Sequence, residues 1–199
     1  MQIAIVKYNA GNIYSVVNAM LRLGISPTLT DDIEELQRAD GVLFPGQGEA
    51  HHAMAYLREH KLDQVIANLK QPVLGICIGQ QLLCKHSEEG DTDCIGVFDA
   101  KVKRFTPTRH EDKVPAIGWN EIYDLKSELY TDIPEHPYTY FVHSYYVPLC
   151  KHTIATADYV QPFSASMHKD NFYATQFHPE KSGNAGAQIL KNFIDIVRR

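Results

Sequence analysis

Short apolar runs closed by turn residues recur in the first part of the chain. "IAIVKY", "GVLFPG" and "PVLGIC" are each rich in β-formers, and segments with helical spacing lie between them. Strand-like and helical stretches in alternation predict a largely parallel α/β sheet flanked by helices. In the first helical stretch Val16, Val17, Met20, Leu21 and Leu23 form an approximate apolar face, with Gly24 as its expected stop. Ala187, Leu190, Phe193, Ile194 and Val197 form another such face near the carboxyl end. From roughly Val97 to Tyr173 the pattern changes, with extended candidates at "KVKRF", "AIGWNEIY", "YTYFVHSYYV", "TIATADY" and "FYATQFH". These predict a mixed or antiparallel extension of the sheet. No Pro/Ser-rich linker interrupts the chain, so one α/β domain over residues 1–199 is expected, its strand order left open.

Composition narrows the setting. A chain of 199 residues with 44% hydrophobic and 22% charged residues can bury a sizeable single core. A net charge of -5 without a Lys/Arg block argues against nucleic acid and anionic membranes, which demand clustered positive charge. The apolar run in "MQIAIVKYNAG" is too short for a signal peptide or a membrane span and reads as the first strand of a cytoplasmic protein. Cys77, Cys84, Cys94 and Cys150 lack paired metal spacing, and a reducing compartment keeps them as thiols. His51 and His52 diverge on a helix, so no metal site is expected there. No G-x-x-x-x-G-K-[ST] phosphate loop occurs, and no cofactor is expected.

One apolar run is interrupted in a telling way. Gly75-Ile76-Cys77-Ile78-Gly79 is the cysteine version of the G-x-S-x-G nucleophile elbow, set where a strand candidate gives way to a helical one. When a strand turns abruptly into a helix, the positions two before and two after the nucleophile approach other backbone closely, and glycine avoids the clash. Cys77 then projects into a pocket, and the helix amino terminus behind it favours the thiolate. Cys84, Cys94 and Cys150 have no such flanks and read as ordinary buried or surface thiols.

A thiol nucleophile needs a base. In "TQFHPEKSG" His178 and Glu180 stand two apart, and in an extended segment they share a face, so Glu180 can orient the imidazole of His178 while its other nitrogen reaches Cys77. Pro179 fixes its own φ and biases His178 toward extended geometry. Acyl transfer also needs oxyanion donors. "FPGQGEA" follows another strand candidate, and in a parallel sheet the loops after neighbouring strands meet at one edge. Backbone N–H groups around Gly46, Gln47 and Gly48 can there join that of Ile78, although an ordinary strand-to-helix turn explains the glycines equally well.

"GICIGQQ" and "HPE" resemble the elbow, G-x-C-x-G-x-Q, and the later motif of the class I, or triad, glutamine amidotransferases. Within that class "YNAGNIYSV", "PGQGEA", "GICIGQQLL", "KVPAIGWNEI", "YFVHSYYV" and "QFHPEKSG" together resemble the glutaminase subunits of imidazole glycerol phosphate synthases, nearly end to end. The resemblance implies hydrolysis of glutamine through a γ-glutamyl thioester on Cys77, with His178 as base then acid and Glu180 as its orienter. It implies that Gln81 holds the bound glutamine, that Glu89 pairs its α-ammonium, and that the backbone at Ser144 and Tyr145 meets its carboxylate. Ammonia passes, on this resemblance, to a separate (β/α)₈-barrel cyclase subunit in histidine biosynthesis. That subunit acts on a phosphoribulosyl-formimino aminoimidazole carboxamide ribonucleotide to give imidazole glycerol phosphate and aminoimidazole carboxamide ribotide, and its ligands activate the glutaminase.

Asn12, Trp119, Asn120, Tyr140 and Lys181 are the partner-facing positions the resemblance implies, although a lone tryptophan taken by itself reads as core. Two positions depart from the family pattern. Gln47 stands where valine is usual, and Ala116 where histidine is common. Other readings of the same residues are a glutaminase serving a different synthase, a general thiol hydrolase, and a non-enzymatic thiol-sensing α/β protein. The last leaves His178 and Glu180 without a role.

Overall fold

The structure is a computed structural model that describes residues 1–11 and 13–199; the expected partner-facing Asn12 lies outside the described residues. The amino-terminal half runs β1 (Ile3–Val6), α1 (Ile13–Arg22), β2 (Thr28–Thr30), α2 (Ile33–Arg38), β3 (Gly41–Gly46), α3 (Ala50–Glu59), α4 (Leu62–Asn68), β4 (Val73–Cys77) and α5 (Ile78–Leu82). Then come β5 (Cys84–Ser87), β6 (Thr92–Asp93), β7 (Phe98–Arg104), β8 (Ala116–Glu121), β9 (Tyr138–His143) and β10 (Tyr145–Tyr146). The chain closes with β11 (Thr153–Tyr159), β12 (Gln161–Lys169), β13 (Phe172–Thr175), a 3₁₀ turn at Pro179–Lys181 and α6 (Gly183–Val197).

The main sheet has the order β11-β12-β13-β4-β3-β1-β2. Strands β2, β1, β3, β4 and β13 are parallel, and β12 and β11 extend the sheet antiparallel. The expected extension is therefore real but divided. Strands β10, β7, β5 and β6 form a second sheet and β8 pairs with β9 in a third. Strands β2, β5, β6 and β12 have no counterpart among the sequence candidates. All but β12 are only two to four residues long, too brief for a periodicity to show.

Central strands are apolar on both faces because both faces are covered. Along β1, Ile3 and Ile5 join the core beneath α1 and α6, whereas Ala4 and Val6 join the core beneath α2, α3 and α4. This is the alternation of a strand read onto two layers. In α1 the inward stripe is Ile13, Val16, Ala19 and Met20, and Leu21 faces out, 49% exposed. The expected face was thus rotated by the inclusion of Leu21 and the omission of Ile13. Gly24, at φ +77, ends the helix as expected, with the Ile25 N–H returning to the Met20 carbonyl. In α6 the expected Leu190, Phe193 and Ile194 are buried, joined by Ile189 and Ile196, while Ala187 faces solvent.

Adjacent parallel strands β3, β4 and β13 end at the same edge. Gly46 of β3 stands opposite Cys77 of β4, and Thr175 of β13 stands opposite Ile76. The loops that leave these three strands meet there, the usual ligand edge of a parallel sheet.

Candidate active site

Cys77 is the hinge between β4 and α5, at φ 57 and ψ -110. A non-glycine residue there carries strain of about 1–3 kcal/mol, the mark of a nucleophile elbow. The expected steric role of its flanking glycines holds. A Cβ on Gly79 would lie 1.9 Å from the Phe44 carbonyl oxygen, and one on Gly75 would lie 3.0 Å from the backbone of Gly79. The helix behind the sulfur is short. With only five residues in α5, the field at Cys77 is that of a few N–H groups rather than of a long macrodipole. Cys77 is 6% exposed, and its sulfur lies 3.9 Å from the Val142 carbonyl oxygen and 3.9 Å from Nε2 of Gln176.

His178 follows β13 and is buried. Its Nδ1 lies 2.7 Å from Oε1 of Glu180, and both side chains are almost wholly withdrawn from solvent. The pair does not share a strand face as expected: His178 is extended, at φ -96, but Pro179 opens a 3₁₀ turn that carries Glu180 back beneath the ring. Among the described residues Nε2 of His178 has no hydrogen-bond partner, and Cys77 is the sulfur beside the ring. Burial opposes the imidazolium, but the adjacent Cys77 sulfur and Glu180 outweigh it and push His178 up to about 10. His178 thus stands between Cys77 and Glu180, each of which favours its protonated form.

A cavity of ≈ 260 Å³ opens over Cys77, lined among others by Gln47, Gly48, Ile78, Gln81, Glu89 and Tyr145. That is just under the ~300 Å³ at which ligand pockets usually begin, a volume suited to an amino acid rather than a nucleotide. Ser144 is also in its wall. Glu89 is half-buried and its Oε2 accepts from the Ala50 N–H at 2.8 Å, while burial raises its carboxyl above the ordinary range and the nearby Glu49 adds to the rise. Gln81 donates from Nε2 to the Tyr145 carbonyl at 3.1 Å and to Oε1 of Gln176 at 3.0 Å.

Of the four expected oxyanion residues, Gln47, Gly48 and Ile78 line the cavity. Gly46 sits behind them, where a Cβ would lie 2.0 Å from the Tyr8 hydroxyl and 2.7 Å from the Ile78 side chain. The Gln47 carbonyl accepts from the Gly11 N–H at 3.0 Å, so that peptide is tied to the loop after β1.

Burial pushes the Cys84 thiol far up and the Cys94 thiol to about 12, leaving Cys77 as the cysteine with a base beside it. Around the rim, Trp119 is 56% exposed and lies edge-on to Tyr140 at 6.1 Å, with Lys181 Nζ 5.9 Å from the centre of the Tyr140 ring. The reading of a lone tryptophan as core is corrected: Trp119 projects from the two-stranded β8–β9 sheet, where Ile117 and Tyr138 are exposed as well. Asn120 is turned inward, donating to the Asp158 carbonyl and accepting from the Glu121 N–H.

Three residues of the site carry no assignment from sequence. Gln176 is fully buried beside the sulfur, Tyr8 has a buried hydroxyl beneath Gly46 without a partner among the described residues, and His143 walls the cavity. The signal for Gln176 and His143 was a polar residue inside an apolar run, "YATQFH" and "YFVHS". His143 donates from Nδ1 to the Tyr145 carbonyl at 2.7 Å, and burial lowers it to about 4, so it is neutral beside His178.

Comparison with known proteins agrees with this geometry. Residues 4–197 match the family model described as glutamine amidotransferase class-I. The imidazole glycerol phosphate synthase subunit HisH of Bacteroides thetaiotaomicron is 57% identical over 196 residues, 98% of this chain and 100% of that one. The subunit of the same name from Yersinia pseudotuberculosis is 44% identical over 198 residues, 98% of this chain and 100% of its own. Among solved structures, a glutamine amidotransferase superposes with a TM-score of 0.75 at 17% identity, covering 98% of this chain and 99% of that one. Another, from Thermotoga maritima, gives 0.65 at 17% identity over 98% of this chain and 83% of the other.

Proposed function

The chain belongs to the class-I glutamine amidotransferase family, and from that premise we propose that it is the glutaminase subunit of an imidazole glycerol phosphate synthase, supplying ammonia for histidine biosynthesis. The observation that carries the chemistry is Cys77 at its strained elbow, with the buried His178–Glu180 pair beside it and an amino-acid-sized cavity above. The relatives' names support the choice of synthase, since the 57% and 44% identities extend over 98% of the chain.

In this reading the Cys77 thiolate attacks the side-chain carbonyl carbon of glutamine. Negative charge develops on the carbonyl oxygen and is met by backbone N–H groups of the Gln47–Gly48 loop and Ile78, a kind of contact worth about 3–4 kcal/mol per donor. The C–N bond then breaks, and His178 gives its proton to the departing nitrogen, which leaves as ammonia. Water, deprotonated by the same imidazole, attacks the thioester; glutamate departs and the thiol is restored. Glu180 holds the ring and stabilises its cation throughout. Gln81, Glu89 and the backbone at Ser144 and Tyr145 hold the substrate's amino-acid end.

The partner is a (β/α)₈-barrel cyclase subunit that consumes the ammonia, and Trp119, Tyr140 and Lys181 supply the docking rim. The cavity is too small for the nucleotide, which supports a division of labour between two chains. The test is to mix the purified chain with a cyclase subunit and its ribonucleotide substrate and to measure glutamate and imidazole glycerol phosphate together. Equimolar formation of both is expected. Glutamate without the imidazole product would point to another synthase, and neither product would overturn the proposal.

A further inference from the structure

Gln176 occupies a position that the triad and the substrate contacts leave unused. It follows β13, two residues ahead of His178, and is fully buried. Its amide stands between Gln81 and the Cys77 sulfur, and the polarity of the whole row is fixed from one end. The Tyr145 carbonyl can only accept, so the Gln81 amide nitrogen must face it, at 3.1 Å. That nitrogen also lies 3.0 Å from Gln176, and a donor there requires the Gln176 oxygen. The Gln176 nitrogen is then left to point at Cys77 Sγ, 3.9 Å away. One backbone carbonyl thus orients two side-chain amides.

We infer that Gln176 is a positioning residue for the thiol chemistry, donating an N–H to the Cys77 sulfur and holding Gln81 so that its oxygen is the polar atom offered to the ligand. The inference deepens the glutaminase reading and rests on it for the identity of that ligand. Each end of the row has a consequence. At the sulfur, the Val142 carbonyl can accept from a thiol, whereas the Gln176 amide and the His178 ring can donate to a thiolate. Gln176 therefore favours the nucleophilic form. At the cavity, both Nε2 hydrogens of Gln81 are engaged, so Gln81 recognises a ligand N–H by accepting from it.

The experiment follows alkylation of Cys77 by iodoacetamide against pH, resolved from the other cysteines by mass spectrometry of its peptide. It is run on wild type, Gln176→Leu, Gln176→Met and Gln176→Glu, with thermal unfolding to confirm folded protein. The pH of half-maximal alkylation is expected to rise by about one unit in the Leu and Met variants, roughly a tenfold loss of reactivity at neutral pH. It is expected to rise further in Gln176→Glu, which sets a carboxylate beside the sulfur. Glutamine KM should rise in parallel as Gln81 loses its orientation. A higher KM with an unmoved alkylation midpoint in any folded variant overturns the inference, since loosened packing around Gln81 alone gives that result. Alkylation needs no glutamine, so a wild-type chain that turned over no glutamine even with the cyclase and its nucleotide would refute the glutaminase reading while the sulfur's titration still decided the role of Gln176.

Discussion

His178 is pulled in two directions, downward by burial and upward by the sulfur on one side and Glu180 on the other. The sulfur is the larger of the two upward influences, so Cys77→Ala should do more than remove a nucleophile. In wild type these influences push the imidazole up to about 10; in Cys77→Ala, with burial opposed by Glu180 alone, its midpoint should fall by more than a unit, read by nitrogen and proton NMR of the ring. The same variant should lose glutamine turnover while still supporting the cyclase with external ammonia. An unmoved His178 midpoint would mean that thiolate and imidazolium do not form a pair. Glu180→Gln separates orientation from proton transfer: it keeps a neutral partner at Nδ1, so it should impair turnover less than His178→Ala, which removes the proton carrier. Full activity in Glu180→Gln would reduce the triad to a Cys–His dyad.

At the scale of elements, what could be read from the sequence follows the strength of local signals. The elbow was legible because two glycines, an apolar strand and a reactive residue coincide in five positions, and the parallel core because its strands are uninterrupted apolar runs. The turn that brings Glu180 to His178 was not, since an extended segment and a 3₁₀ turn after proline allow the same contact. Gln176 and His143 were missed because nothing local distinguishes a polar residue aimed at a neighbour's sulfur from one satisfied in the core. His143 also makes the site strand β9 sensitive to acid. Its folded value of about 4 lies below the ordinary 6.5, so between those limits the unfolded chain binds a proton that the folded chain refuses. Stability therefore rises with pH across that window and is lost as pH falls from 6.5 through 4, by roughly 3 kcal/mol for one such group. Urea unfolding of wild type and His143→Gln at pH 4.5 and pH 7 checks this. The variant should lose less stability on acidification than wild type, and equal losses would place the acid sensitivity elsewhere.

At the scale of the whole molecule, three loops meet over Cys77 and a fourth, after β1, is bonded to one of them. Strand β1 lies beside β3 in the sheet, and Gly11 donates to the Gln47 carbonyl across the gap between their loops. The Gln47 carbonyl shares its peptide with the Gly48 N–H, so that N–H, a donor in the proposed oxyanion site, can be turned only if the bond to Gly11 is exchanged. The bond is made by backbone and does not require the Gln47 side chain, so a glutamine where the family has valine is compatible with it. Gly11 precedes Asn12 in the sequence, one of the positions proposed to face the partner, so docking there would act next to this bond. The isolated chain should accordingly turn over glutamine slowly and be accelerated by the cyclase with its nucleotide. Gly11→Pro deletes the donor and should raise the unstimulated rate by about three- to tenfold, the worth of one hydrogen bond, and lower the activation ratio by the same factor. Gly11→Ala keeps the N–H, and its Cβ would sit at an ordinary 3.9 Å from the Gln47 oxygen, so it should behave as wild type. Gln47→Val should leave the activation ratio unchanged. Steady-state glutamate production by all four proteins, alone and with partner plus nucleotide, decides the matter, and a Gly11→Pro chain that is folded but no faster than wild type would show that this bond does not hold the site in its slow state.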